Sequence, residues 1–146
     1  MYIKQISVFL ENDKGTLREM TRRLAEHEID LLALTLADTE SFGIVRIIVR
    51  SDQLELAQNC LKEAGFVTKQ KDVLCVRVPN RPAALDHVLE VFETSDLSIE
   101  YMYSLNYSVE GQALLVLRLS DDENAAALLQ AAGIDLCMQD QIDALC

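Results

Sequence analysis

The sequence predicts an α+β protein made of two tandem ferredoxin-like units of order βαββαβ, each a four-stranded antiparallel sheet with two helices on one face. Three observations lead there. The 146 residues suit two small domains of about 70 residues each. Residues recur at a fixed offset: Asn12 and Asn80, Leu17 and Leu85, Leu61 and Leu129, Ala64 and Ala132, and Gly65 and Gly133 all stand 68 apart. The same succession of period-two and helix-period segments runs through both halves. The first domain is placed at 1–70 and the second at 71–146, with Lys71-Asp72 as the boundary.

In the first half, Ile6, Val8 and Leu10 alternate with Gln5, Ser7 and Glu11, a strand pattern with one apolar face. Asn12-Asp13-Lys14-Gly15 breaks it with turn and N-cap residues. Leu17, Met20 and Leu24 then follow helical spacing, with Arg18, Glu19, Arg22, Arg23 and Glu26 on the wet faces. Ile29 to Ala37 reads as a second strand, Asp38-Thr39-Glu40-Ser41 as a turn, and Gly43 opens a third strand through Val45, Ile47 and Val49. Ser51-Asp52 is expected to cap a helix from about Gln53 to Ala64, ended by Gly65, with Phe66 to Gln70 as the last strand.

The second half follows suit. Val73 to Val78 is a strand, and Pro79-Asn80-Arg81-Pro82 is a turn with Pro near the helix start. Leu85, Val88, Leu89 and Phe92 form the helix stripe. Ser98 to Tyr107 and Ala113 to Leu119 are strands joined across Glu110-Gly111. Asp121-Asp122 caps a helix through Ala132, Gly133 ends it, and Leu136 to Gln139 is the final strand.

Composition narrows the function. Thirteen Lys and Arg against 24 Asp and Glu give a net charge of −11, which argues against nucleic acid and anionic membrane as partners. No apolar run approaches a membrane span and the N-terminus lacks a signal-peptide stretch, so the expected location is cytoplasmic. The four cysteines, Cys60, Cys75, Cys137 and Cys146, form no C-x-x-C pair and no zinc spacing, and read as buried apolar residues plus a terminal thiol. No metal site, cofactor or catalytic residue is expected. His27 and His87 read as solvated helix residues, Cys60 sits mid-helix, and the five glycines form no phosphate loop.

The two first strand-to-helix loops remain. Asn12-Asp13-Lys14-Gly15-Thr16-Leu17 and Asn80-Arg81-Pro82-Ala83-Ala84-Leu85 occupy matching places. Free backbone N–H groups at a helix start can hold a carboxylate, Gly15 permits close approach, and Asn12 and Asn80 both donate and accept. Asn at this place is equally a plain N-cap.

These loops resemble the N-x-P-G-x-L signature of ACT domains, regulatory modules that bind amino acids and share the βαββαβ order. The first keeps Asn12, Gly15 and Leu17 with Lys14 at the Pro position; the second keeps Asn80, Pro82 and Leu85 with Ala83 at the Gly position. Ile29-Asp30-Leu31 and Leu97-Ser98-Ile99 resemble the hydrophobic-Asn-Ile start of the family's second strand, with Asp30 and Ser98 replacing Asn. The resemblance spans the chain twice and is similar to stand-alone tandem members without an enzyme domain. It implies ligand sites at the junction of two units. One would draw on Asn12, Asp13, Lys14, Gly15, Thr16 and Leu17 with Ser98, Glu100 or Tyr101. Its mate would draw on Asn80 and Ala83 with Asp30 and Leu32. The extra methyl of Ala83 favours the Gly15 site, whereas Asp30 can hold a ligand ammonium and favours the other.

The leading expectation is therefore a non-enzymatic regulatory protein that binds a free amino acid and is read by a protein partner in trans. A homodimer is compatible with the exposed sheet edges. A second reading is an interaction module that binds no ligand, suggested by the degenerate loops. A third is an enzyme on the same fold, such as a small isomerase or a hydrolase of the acylphosphatase kind, for the latter of which Arg81 stands in the second loop.

Overall fold

A computed structural model describes residues 2–11, 13–38 and 42–145. Among them are seven strands and five α-helices, in two compact units: Lys4–Lys71, and the residues from Asp72 onward together with Tyr2 and Ile3. None of the helices is long and apolar enough to cross a membrane.

The first unit holds β1 (Ile3–Glu11) from Lys4 onward, α1 (Thr16–Glu26), β2 (Ala33–Asp38), β3 (Phe42–Ile48), α2 (Leu54–Glu63) and the first residues of β4 (Val67–Pro79). β3 lies between β1 and β2, antiparallel to both; Ile6 faces Ile47, Val8 faces Val45, and Leu34 faces Ile47. The period-two pattern puts Ile6, Val8, Val45 and Ile47 on one sheet face. There they meet Met20 and Leu24 of α1 and Ala57 and Leu61 of α2 in one buried cluster. Each such aliphatic side chain contributes about 1.5–3 kcal/mol when fully buried.

The second unit repeats the plan with the rest of β4, α3 (Ala84–Glu90), β5 (Ile99–Ser104), β6 (Gln112–Leu119), α4 (Asp122–Ala131) and β7 (Asp135–Leu136), and adds α5 (Gln139–Asp143). Its sheet order is β7-β4-β6-β5, antiparallel throughout, with Leu74 opposite Leu117 and Val76 opposite both Leu115 and Leu136. The core gathers Leu74, Val76, Leu117 and Leu119 against Val88, Phe92, Ala126 and Leu129. α2 and α4 end alike. Gly65 and Gly133 take φ +91° and +76°, and the next N–H reaches back to Leu61 and Leu129, respectively. This is the Schellman cap that a glycine after a helix predicts.

Several local expectations are corrected. Phe66–Gln70 and Val73–Val78 are not separate strands: β4 runs unbroken through Lys71-Asp72, because no Gly or Pro interrupts it. β2 begins at Ala33, not Ile29, because α1 closes in a turn at residues 27–28, where Glu28 sits at φ +54° and Ile29 N–H returns to Leu24, and residues 29–32 lead irregularly into the strand. β5 spans Ile99–Ser104 rather than Ser98 to Tyr107. The final strand is two residues, and Gln139 starts α5 instead of ending a strand. Ser51–Gln53 is a 3-10 turn, and Asp52 pairs with Arg50 at 3.2 Å rather than capping α2. Gln5 and Ser7 are buried, and Gln5 Nε2 donates to Ser7 Oγ at 3.3 Å, so the polar side of β1 is not a wet one.

Candidate functional site

Both helix-entry loops have the same backbone. Gly15 stands at the N-cap of α1 with φ +90°, ψ −6°, and Ala83 at the N-cap of α3 with φ +70°, ψ −5°. The hydrogen bonds match at the offset of 68. Thr16 N–H donates to Asp13 O and Ala84 N–H to Arg81 O, both at 3.3 Å. Glu19 N–H donates to Gly15 O and His87 N–H to Ala83 O, both at 3.0 Å. Among the described residues neither helix has a side-chain N-cap, because the left-handed residue occupies the cap position itself; this corrects the capping expectation for Asn80, while Asn12 lies outside the described residues. Thr16 adds a hydroxyl bond to Asp13 O at 2.7 Å.

The turn explains why glycine is wanted here. A Cβ at Gly15 would meet nothing within 4 Å, so the demand is for positive φ rather than for space. Ala83 takes the same conformation at a cost of about 1–2 kcal/mol.

The structure places the candidate residues as follows. Asp13, Thr16 and Leu17 line a cleft of about 230 Å³ with Leu10, Leu36 and Gly43. Lys14 and Gly15 are exposed beside it, and Asn12 lies outside the described residues. Leu36 and Gly43 are additions that the loop motif does not signal; they come from the β2–β3 pair. Asp30 is exposed in the segment before β2, where its N–H donates to Gln53 Oε1 at 3.2 Å. Leu32 is fully buried and its N–H donates to Ile48 O at 2.8 Å. Neither belongs to β2. In the second unit Asn80 and Ala83 are exposed, and Asn80 N–H donates to Gly111 O at 3.2 Å. Ser98 precedes β5 and exchanges bonds with Ser120. Glu100 lies 3.5 Å from Arg118 Nε, and Arg118 also pairs with Asp122. Tyr101 stacks on Tyr103 with ring centres 6.3 Å apart.

A second type of cleft occurs once in each unit, at corresponding residues. In the first unit it measures about 400 Å³ and is lined by Phe9, Leu10, Thr16, Phe42, Phe66 and Val67. In the second it measures about 420 Å³ and is lined by Arg77, Arg81, Ala83, His87, Gln112 and Asp135 among others. The first is aromatic, with Phe9 and Phe42 rings 6.1 Å apart. In the second, Arg77 Nε donates to Gln112 Oε1 at 3.0 Å.

Two of the buried thiols, Cys75 and Cys60, are poor nucleophiles. Hydrogen bonding to Cys137, with burial, pushes the Cys75 thiol far above its ordinary range, and burial raises Cys60. Cys60, Cys75 and Cys137 are free and buried, while Cys146 lies outside the described residues. Among the described residues no group of His, Cys, Asp and Glu is arranged to hold a metal ion.

A crystal structure of a protein from Bacteroides thetaiotaomicron is 36% identical over 99% of this chain and 98% of its own, with a TM-score of 0.86. The ligand-free regulatory subunit of aspartate kinase from Thermus thermophilus shares the fold at 16% identity and a TM-score of 0.62, covering 89% of this chain and 90% of its own. E. coli aspartokinase III, solved with lysine and aspartate, matches 89% of this chain with 30% of its own at 18% identity and a TM-score of 0.50. No curated protein sequence matches the chain. The family model of the ACT domain pair covers residues 1–145, with the two βαββαβ units it requires, and the chain belongs to that family.

Proposed function

We propose that this ACT domain pair is a non-enzymatic regulatory module that binds a free amino acid through its helix-entry loops, one in each of the domains 1–70 and 71–146. The observation that carries this reading is the shared left-handed turn at Gly15 and Ala83, with the Asp13, Thr16 and Leu17 cleft beside the first. Among the described residues no side chain caps the backbone N–H groups at either helix start, as carboxylate recognition needs. The lysine and aspartate held by E. coli aspartokinase III support an amino acid as the ligand class. Binding shifts the balance between conformations, and a protein partner in trans reads the result.

A thermal-shift panel of the twenty amino acids tests this. A ligand at about 100 times its Kd adds roughly 2.7 kcal/mol, or about 5–10 °C. One amino acid is expected to stabilise the chain, and Asp13→Ala or Asn12→Ala to abolish the shift. A flat panel selects the second reading, an interaction module without ligand. The observation on its side is Leu34 and Leu36, 38% and 51% exposed on edge strand β2, where another copy or partner can pair.

A further inference from the structure

The paired clefts differ in chemistry far more than in shape. Leu10 and Val78, Thr16 and Ala84, Gly65 and Gly133, and Phe66 and Ile134 correspond at the offset of 68 and line their respective clefts. On the same frame, Phe9 of the first becomes Arg77, and Val67 becomes Asp135. Phe42 faces Glu11 across β1–β3 as Gln112 faces Pro79 across β4–β6, so Phe42 becomes Gln112. The fold therefore does not demand Arg77, Gln112 and Asp135 at these places, since the sister cleft, which keeps Glu11 and Thr16, has Phe9, Phe42 and Val67 there.

We propose that the cleft of the second unit is a binding site for a small carboxylate. Arg77 is half-buried, and its bond to Gln112 holds the guanidinium while leaving both terminal nitrogens without a protein partner among the described residues. Arg81 enters the same cleft with no side-chain hydrogen bond or ion pair among the described residues. Two guanidinium groups without a carboxylate partner stand out in a chain of net charge −11. Their forks match a carboxylate in geometry and charge. Asp135 faces Arg77 across β4–β7 without forming an ion pair with it. Its carboxylate can take a ligand ammonium and repels a second negative charge, which favours a monocarboxylate over a phosphate dianion. A volume of about 420 Å³ is in the range of small-molecule pockets. The cleft borders the second helix-entry loop through Arg81 and Ala83, so the assignment deepens the proposed reading of that loop and rests on it, while amino-acid binding at the first unit's loop cleft is not required.

The test is an NMR titration of the full chain with sodium acetate, glycine and inorganic phosphate at matched ionic strength. It follows the Arg77 and Arg81 Nε–H and the Gln112 side-chain amide signals. Saturable shifts with a carboxylate are expected, weakened roughly tenfold in Arg81→Ala, as loss of a charged hydrogen bond predicts. Arg81 is exposed, so its variant keeps the backbone spectrum; Arg77→Gln is the second variant. Shifts no larger than those from sodium chloride overturn the proposal, as does saturation unchanged in both variants. Saturation by phosphate but not by acetate or glycine overturns the carboxylate assignment.

Discussion

The two units are closest in their backbones and furthest apart in what they display. Their helix-entry turns share two backbone hydrogen bonds at matching residues, and both end their second helix in a glycine Schellman cap. Yet one turn carries Gly15 and the other Ala83, and one cleft is built of phenylalanine and the other of arginine. Backbone geometry is held by hydrogen bonds and by the buried face of each strand and helix. Side chains outside the core are released from that constraint, so duplicated frames can carry different chemistry.

The largest expected effect tests whether the cores are equivalent. Leu61 and Leu129 are both fully buried and hold matching positions. Leu61→Ala and Leu129→Ala should each cost about 2–5 kcal/mol in urea denaturation. A loss below about 1 kcal/mol at either one would break the equivalence, because a tightly packed site cannot collapse so cheaply.

A smaller effect addresses the turns. Gly15→Ala should destabilise the chain by about 1–2 kcal/mol, and Ala83→Gly should stabilise it by about 1 kcal/mol. The signs are opposite because one frame holds the residue suited to positive φ and the other does not. Equal signs in chemical denaturation would show that the two turns are not alike in energy.

The smallest effect separates the second helices. Asp121 accepts the Asn124 N–H at 3.1 Å and caps α4, whereas Asp52 does not cap α2. Asp121→Ala should cost about 1 kcal/mol in thermal unfolding. Asp52→Ala should stay within about 0.5 kcal/mol, since it loses only an exposed ion pair to Arg50.

Much of the plan was legible. The alternation of Ile6, Val8 and Leu10, the stripe of Met20 and Leu24, and the glycines after α2 and α4 each have a local cause that survives in the fold. The misread places lack such a cause. α5 is five residues long, too short for a periodic signal, and β7 is only two. The turn at residues 27–28 uses Glu28 where a glycine would have marked it. Of the site, the loops were visible because their spacing repeats. Leu36 and Gly43 were not, because strand pairing brings them to Asp13 and Thr16 across a gap in sequence.

By itself, the sequence determined the repeat, the order of elements and the faces that pack, because these depend on periodicity and on residues with strong local preferences. Only the tertiary structure decided which residues share a cleft. Arg77, Arg81, Gln112 and Asp135 are scattered over 59 positions. They become neighbours because β4, β6 and β7 must pair their backbone hydrogen-bonding groups, a requirement no local pattern announces.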